Sequence, residues 1–234
     1  MNNEWKEPIF FPWIGEKYLQ MSVKVLVVGD SGYCGDEYCQ KRCGVRGNCT
    51  YEEMGDCRNF TKNIIKGYID NRLKDNSLEI YEKKTYLGFE SSFLGYIESE
   101  TSPTSDKSNE FWNSIVFYNY VQTAIASTSD QKEYNNTDYA ESAPMFLHLI
   151  NEINPDYIFI WGRRAFYAAP IYGWIDDEQK SFQGKYKLEN GKIAKCASIH
   201  HPSRGYRIES HNKIKQLMGE DYNLFLKELH YKDK

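Results

Sequence analysis

A short run of apolar, mostly β-branched residues near the N-terminus constrains the fold of this chain more than any other feature. Residues 23–28 have the sequence VKVLVV, and Gly29 follows directly. An almost continuous apolar run that ends at glycine is typical of a buried strand in a parallel sheet. In open α/β sheets, ligands bind in the loops at the carboxyl ends of such strands. The segment that begins at Gly29 is therefore a first candidate for a binding loop.

Two further apolar segments have the same character. They are Ser114–Val121, which carries Asn119 near its end, and Tyr157–Ile160, which leads into the turn Trp161-Gly162. Apolar residues at helical spacing predict helices between and after these strands, over residues 60–73, 142–153, 163–169 and 214–229. This alternation predicts an α/β fold, namely a three-layer α/β/α sandwich with a mainly parallel central sheet.

Several boundaries follow from capping and turn residues. Ser142 is expected to cap the second of these helices, with Pro144 in its first turn. An Asn190-Gly191 turn predicts a hairpin whose second strand covers Ile193–Ile199. In the less regular stretch 76–110, the sequence predicts a weak strand at Leu78–Tyr81 and a polar loop through Glu98–Glu110.

The chain of 234 residues has the length of one sizeable domain. We assign residues 1–22 to an N-terminal extension that packs across the domain through its aromatic side chains. Residues 23–234 form the domain itself, with a cysteine-rich insertion at 34–57. We expect a monomer.

Charge and hydropathy restrict the partners. The net charge is −4, whereas a domain that grips nucleic acid through phosphates alone is usually more basic, so DNA binding requires a local positive patch. No apolar stretch reaches the roughly 18 residues of a membrane span. The N-terminus lacks the basic start and small-residue cleavage site of a signal peptide. We therefore expect a cytoplasmic protein with no membrane partner.

Four segments, taken in order, form a more specific pattern than any of them alone. They are Gly29-Asp30-Ser31-Gly32-Tyr33, Asn119 in FYNYV, the strand–turn–helix segment NPDYIFIWGRRAF, and His201-Pro202-Ser203. The chain resembles the uracil-DNA glycosylase superfamily in these motifs and their order. The resemblance covers about residues 23–229, and it implies a fold of that type.

The resemblance also implies roles for individual residues. His201 would donate a hydrogen bond to an oxygen of the departing base, and such a donor is typically worth about a hundred- to a thousand-fold in rate. Asp30 would stabilise the positive charge on the sugar and orient water. Asn119, a donor and an acceptor, would recognise the edge of uracil. The remaining base-binding candidates are Gly29, Ser31, Tyr33 and Ser203.

The first motif departs from the best-known branch of the family. There the activating aspartate stands two residues after the glycine, and that position is Ser31 here. Asp30 stands where other branches have an acidic residue, and Tyr33 matches the aromatic residue that excludes the methyl group of thymine. After the His-Pro-Ser motif, Arg204 or Tyr206 would stack into the vacated base position in DNA. The alternative for these two residues is a solvated loop.

The predicted function is hydrolysis of the N-glycosidic bond of uracil or another altered base that is flipped out of DNA. The alternative is a non-catalytic protein that binds a nucleobase, a nucleotide or DNA on the same fold. A structural or partner-binding domain that uses the cysteine loop is a minor third hypothesis.

Five of the six cysteines fall within one short segment, which favours a metal site in a cytosolic protein. A structural zinc held by four of the five is the leading hypothesis, an iron–sulfur cluster is the second, and plain reduced thiols are the third. The five candidates are Cys34, Cys39, Cys43, Cys49 and Cys57.

Overall fold

Seven strands form one mixed sheet in the computed structural model, which describes residues 7–32, 55–74, 81–98, 101–123, 136–174 and 182–229. The strands are β1 (Trp13–Ile14), β2 (Val25–Gly29), β3 (Val116–Asn119), β4 (Tyr157–Trp161), β5 (Gly173–Trp174), β6 (Gln183–Lys187) and β7 (Ile193–Ile199). Their order across the sheet is β1-β3-β2-β4-β7-β6-β5. The central strands β3, β2, β4 and β7 are parallel, while β1, β6 and β5 are each antiparallel to the neighbour through which they join the sheet.

Helices cover both faces of this sheet. They are α1 (Phe60–Lys74), α2 (Tyr81–Leu94), α3 (Ser105–Asn113), α4 (Asn136–Ile153), α5 (Arg163–Ala168), α6 (Arg207–Met218) and α7 (Glu220–Glu228). Alternate residues of a strand point to opposite faces, so β2 contributes to two cores. Val25 and Val27 pack with α1, α2, α3, α6 and α7, whereas Leu26 and Val28 pack with α4 and α5. The predicted α/β sandwich with a mostly parallel sheet is therefore confirmed.

The N-terminal segment joins the sheet at one edge. In β1, Trp13 pairs with Phe117 of β3 in antiparallel register. Downstream, the buried Tyr18 donates its hydroxyl hydrogen to the carbonyl oxygen of Ile153, at 3.0 Å. These contacts fix the segment against β3 and the end of α4.

The polar loop predicted for Glu98–Glu110 is wrong in its second half, where α3 begins at Ser105. Thr104 caps this helix by accepting a hydrogen bond from the backbone N–H of Lys107. Most polar residues of the segment lie on the outer face of the helix, whereas Ser108, Phe111 and Trp112 are buried on the inner face. The weak strand at Leu78–Tyr81 is not found at Tyr81, where α2 begins, and its other residues lie outside the described ranges.

The start of α4 also differs from the prediction. This helix begins at Asn136, so Ser142 and Pro144 lie inside it rather than at its cap and first turn. The Ser142 hydroxyl donates to the carbonyl oxygen of Asp138, at 2.7 Å, and accepts from the backbone N–H of Gln122, at 3.0 Å. Ser142 therefore links the helix to the chain that leaves β3 and does not cap a helix end.

The single C-terminal helix predicted over 214–229 is two helices. Gly219 separates α6 from α7, and its φ of 61° lies in the left-handed region that ends helices. None of the helices in the described part of the chain has the length and hydropathy needed to cross a lipid bilayer.

Candidate functional site

A cleft of about 1430 Å³ lies at the carboxyl ends of the parallel strands. The residues that follow β2, the end of β3, the turn after β4 and the segment after β7 all contribute to its walls. They meet because the carboxyl ends of parallel strands share one edge of the sheet. Helix α6 closes the cleft from the side through residues such as Glu209 and Lys213.

Every candidate base- or DNA-binding residue within the described ranges lines this cleft. These residues are Gly29, Asp30, Ser31, Asn119, His201, Ser203, Arg204 and Tyr206. Tyr33, the remaining base-binding candidate, lies outside the described residues. Loops that are far apart in the sequence thus enclose one shared space.

Gly29 and Asn119 are neighbours across β2 and β3 and pack too closely for any other residue at position 29. A Cβ atom on Gly29 would lie 2.6 Å from Oδ1 of Asn119 and 2.9 Å from Cζ of Phe117. The Asn119 carboxamide is buried and donates from Nδ2 to Oγ1 of Thr61 in α1, at 3.3 Å. The amide that was predicted to recognise a base is therefore held in a fixed orientation.

Asp30 is fixed by a residue of the opposite layer. The hydroxyl of Tyr139, in α4, donates to Oδ1 of Asp30 at 2.6 Å. Burial raises the pKa of the Asp30 carboxyl, while the Tyr139 hydrogen bond and the positive charge of Arg164 offset part of that rise. The Arg164 guanidinium lies 4.9 Å from the centre of the Tyr139 ring. Tyr139 thus links the carboxylate to a cation at the mouth of the cleft.

His201 faces the cleft as a neutral imidazole at neutral pH. Burial lowers its pKa, and the nearby Arg204 lowers it further. Nδ1 of His201 lies 2.8 Å from Oγ of Ser203, and the ring packs edge-on against Trp161, with 6.0 Å between ring centres. One ring nitrogen is therefore engaged by Ser203, which fixes the orientation of the ring.

At the rim, Tyr206 stacks on His200. The ring centres are 4.4 Å apart and the planes are inclined by 28°. Tyr206 is 46% exposed. An aromatic ring held upright beside the mouth is available to stack on a planar group.

The cleft is more basic than the chain as a whole. Among the described residues that line it, the cations are Arg163, Arg164, Arg204 and Lys213, whereas the carboxylates are Asp30 and Glu209. Its deeper walls are aromatic. These walls are formed by Phe60, Tyr86, Phe117, Trp161 and Phe182. The described lining of the cleft therefore carries more positive than negative groups, although the net charge of the chain is −4.

The metal hypothesis remains a prediction. Cys34, Cys39, Cys43 and Cys49 lie outside the described residues, and Cys57 is exposed in the turn that precedes α1. In the described part of the chain, no three His, Cys, Asp or Glu side chains are grouped to hold a metal ion. Cys196 is buried in β7, where burial raises the pKa of its thiol to about 12, so its role is in packing.

Sequence reasoning missed the site residues that helices contribute. Thr61 is the second residue of α1, Tyr139 lies before the helix start predicted at Ser142, and Lys213 directly precedes the helix predicted over 214–229. None of them belongs to a motif. Arg163 and Arg164 directly follow the glycine turn after β4, and their position at a strand end is the signal that would have identified them.

Comparison with protein-family models finds no match, and neither does a search of curated proteins. The fold and the site together define an α/β protein with a basic, aromatic-walled cleft at the carboxyl edge of its parallel strands.

Proposed function

We propose that the chain is a DNA glycosylase with a fold of the uracil-DNA glycosylase type, and that it hydrolyses the N-glycosidic bond of uracil or another altered base. One observation carries the proposal: Asp30, Asn119 and His201 come from three widely separated loops and line one cleft. These are the residues to which the motif resemblance gives the chemistry of base release.

Cleavage of the glycosidic bond leaves negative charge on the departing base, and His201 is suited to stabilise it. If the Ser203 hydroxyl donates to Nδ1, across the 2.8 Å between them, the proton of the neutral ring is on Nε2. An Nε2–H group can then donate to a base oxygen as its charge develops. A fixed donor in a cleft shielded from water stabilises that charge more than water does, because it does not have to reorient.

The sugar develops positive charge in the same step. Asp30 in its ionised form stabilises that charge and orients the water molecule whose oxygen bonds to the sugar carbon. The Tyr139 hydrogen bond to Asp30 supports the ionised form against the effect of burial. Asn119, fixed by Thr61, supplies a donor and an acceptor for the edge of the base.

The size and lining of the cleft favour a nucleotide within a polymer over a small metabolite. The volume of about 1430 Å³ exceeds the range of roughly 300–1,000 Å³ that is common for small-molecule pockets. Aromatic walls suit a planar base, and arginine and lysine at the mouth suit the phosphates on either side of it.

The direct test is base release from uracil-containing oligonucleotides, single- and double-stranded, with a panel of other altered bases. We expect His201→Gln to lower the single-turnover rate by about a hundred- to a thousand-fold, and Asn119→Ala to lower it as well. His148→Gln, in α4 away from the cleft, is the matched control. Wild-type rates in both cleft variants would exclude the mechanism.

A second candidate is a protein that binds a base, nucleotide or DNA without cleaving it. The observation that favours it is the environment of Asp30, because burial raises its pKa and so disfavours the ionised form that the reaction needs. This candidate predicts saturable binding of uracil-containing DNA with no free base released, and measurable base release would exclude it.

A further inference from the structure

Two cations lie close to the ring of Phe182 on the wall of the cleft. The guanidinium carbon of Arg163 lies 4.2 Å from the ring centre, and Nζ of Lys213 lies 5.3 Å from it. Arg163 is the first residue of α5, Lys213 belongs to α6, and Phe182 directly precedes β6. Three separate elements thus bring two positive groups to one place, and all three residues line the cleft.

The backbone at Phe182 is held in an unfavourable conformation. Its φ of 52° lies in the left-handed region, which is rare for a bulky residue. The carbonyl oxygen of Phe182 accepts a hydrogen bond from the N–H of Ser198, at 2.9 Å. The next side chain, Gln183, donates from Nε2 to Oε1 of Gln216 in α6, at 3.3 Å. Backbone strain that is maintained by the surrounding structure is concentrated at functional sites. At Phe182 the strained backbone sets the position of the aromatic ring.

Two cations that contact the same ring add positive charge to this part of the wall, and a phosphate group is attracted to both. An arginine fork matches two oxygens of a phosphate, and a lysine adds a point charge. Among the described residues that line the cleft, the carboxylate on the same helix as Lys213 is Glu209, four residues before it on α6. On the far side, the Asp30 carboxylate is engaged by Tyr139.

We propose that Arg163 and Lys213, positioned by Phe182, form a phosphate-binding subsite of the cleft. The ligand is a phosphate group of the nucleotide strand whose base enters the pocket between Asp30 and His201. The inference deepens the proposed function and rests on it, since it assumes that the cleft receives a nucleotide.

The test measures binding rather than catalysis. A fluorescent single-stranded oligonucleotide without altered bases is titrated with protein across a series of salt concentrations, and affinity is read from anisotropy. We expect Arg163→Gln and Lys213→Gln each to weaken binding about tenfold at low salt and to reduce the slope of log K against log salt by about 0.7. Lys227→Gln, an exposed residue of α7 that does not line the cleft, removes the same charge and should change neither quantity.

Two further variants separate the position of the cations from their charge. Phe182→Asn removes the ring but keeps a residue that tolerates the left-handed backbone, so we expect it to weaken binding while the protein remains folded. Glu209→Gln removes negative charge from the same wall, so it should strengthen binding. Circular dichroism establishes that each variant is folded before it is titrated.

Competition with dUMP shows which phosphate the subsite binds, that of the nucleotide in the pocket or a neighbouring one. If the variants weaken dUMP and oligonucleotide equally, the subsite binds the phosphate of the nucleotide in the pocket. If they weaken only the oligonucleotide, it binds a neighbouring phosphodiester.

Wild-type affinity and salt slope in both Arg163→Gln and Lys213→Gln would overturn the subsite, even in a protein that releases uracil. Reduced affinity and slope in a protein that releases no base would support the subsite and leave only the glycosylase proposal refuted.

Discussion

The hydrogen bond from Tyr139 opposes the effect of burial on the pKa of the Asp30 carboxyl. Burial raises the pKa of Asp30, and the hydrogen bond from Tyr139 lowers it because the bond stabilises the ionised form. Removing this donor in Tyr139→Phe should therefore raise the pKa of Asp30 further. We expect the acid limb of the pH profile of kcat/KM to move to higher pH, with activity on that limb reduced about tenfold.

Tyr120→Phe is the matched control for this prediction. Its ring stacks on Tyr139, and its hydroxyl donates to the carbonyl oxygen of Ala168 rather than to Asp30. Carboxyl ¹³C NMR titration of Asp30 gives its pKa directly, whether or not the protein is catalytic. An unchanged titration of Asp30 in Tyr139→Phe would show that the hydroxyl has only a packing role.

At the level of single residues, sequence could identify the site only where strands end. Gly29, Asn119 and His201 follow apolar runs, and the carboxyl edge of a parallel sheet is a general location for ligands. Tyr139 and Phe182 could not be found in this way. Tyr139 lies before the helix start that the sequence predicts at Ser142, so it was not assigned to any element. The role of Phe182 depends on a positive φ, which an aromatic residue type does not predict.

Among the helices, the main departure from the preferences of the residue types is Pro144, since proline disfavours the interior of a helix. It lies inside α4 with its ring exposed, where proline lacks the N–H that would bond to the fourth preceding carbonyl group. Pro144→Ala should restore that hydrogen bond without removing buried surface. We expect the free energy of unfolding, measured in urea, to rise by about 2 kcal/mol, which is the helix penalty of proline less the chain entropy that proline removes.

The same variant distinguishes the observed helix start from the one expected from the sequence. If α4 began near Ser142, Pro144 would occupy the first turn, where proline is well tolerated. Its replacement by alanine would then leave stability unchanged or lower it. Ala143→Gly, at the neighbouring position, serves as the control because it should destabilise a helix that extends through this segment.

Elements were predictable in proportion to their burial. β2 and β4 are buried at every residue, so their apolar runs stand out. β1 and β5 contain two residues each, too few for any pattern. Helix α3 was missed because its large apolar residues, Phe111 and Trp112, are adjacent near its end and show no helical spacing. Its start depends on the capping side chain of Thr104. Gly219 separates α6 from α7, but the helical spacing of apolar residues continues across it, so the sequence predicted one helix.

For the whole molecule, the sequence indicated the layers but not the order of the strands. Alternation of strands and helices implies a parallel sheet, yet the order β3-β2-β4-β7 depends on pairing between residues that are 38 to 132 positions apart in the sequence. The net charge of the chain did not predict the charge of the cleft, because folding places cations of α5 and α6 around it.

Glu90 gives the whole molecule a pH-dependent stability. It is fully buried in α2 and accepts hydrogen bonds from Ser108 Oγ, at 2.6 Å, and from Trp112 Nε1, at 2.7 Å. Burial raises the pKa of its carboxyl group to about 7, although these bonds and Arg72 act in the opposite direction. In the unfolded chain the same carboxyl group titrates near its ordinary pKa of about 4.3.

The folded protein therefore binds more protons than the unfolded chain between these two pKa values, and Glu90 makes it less stable as the pH rises through that interval. Gln at this position stays neutral and can still hydrogen-bond Trp112 and Ser108. We expect the stability of Glu90→Gln relative to wild type, measured by urea unfolding, to increase from pH 5 to about pH 7, the pKa of the folded Glu90, and to level off at higher pH. The exposed Glu152→Gln should show no such trend. Burial lowers the pKa values of His201 and His211, which therefore contribute to the pH dependence in the opposite direction. These contributions cancel because the two proteins are compared at the same pH. Parallel stability curves for Glu90→Gln and wild type would mean that Glu90 stays ionised in the core beside Arg72.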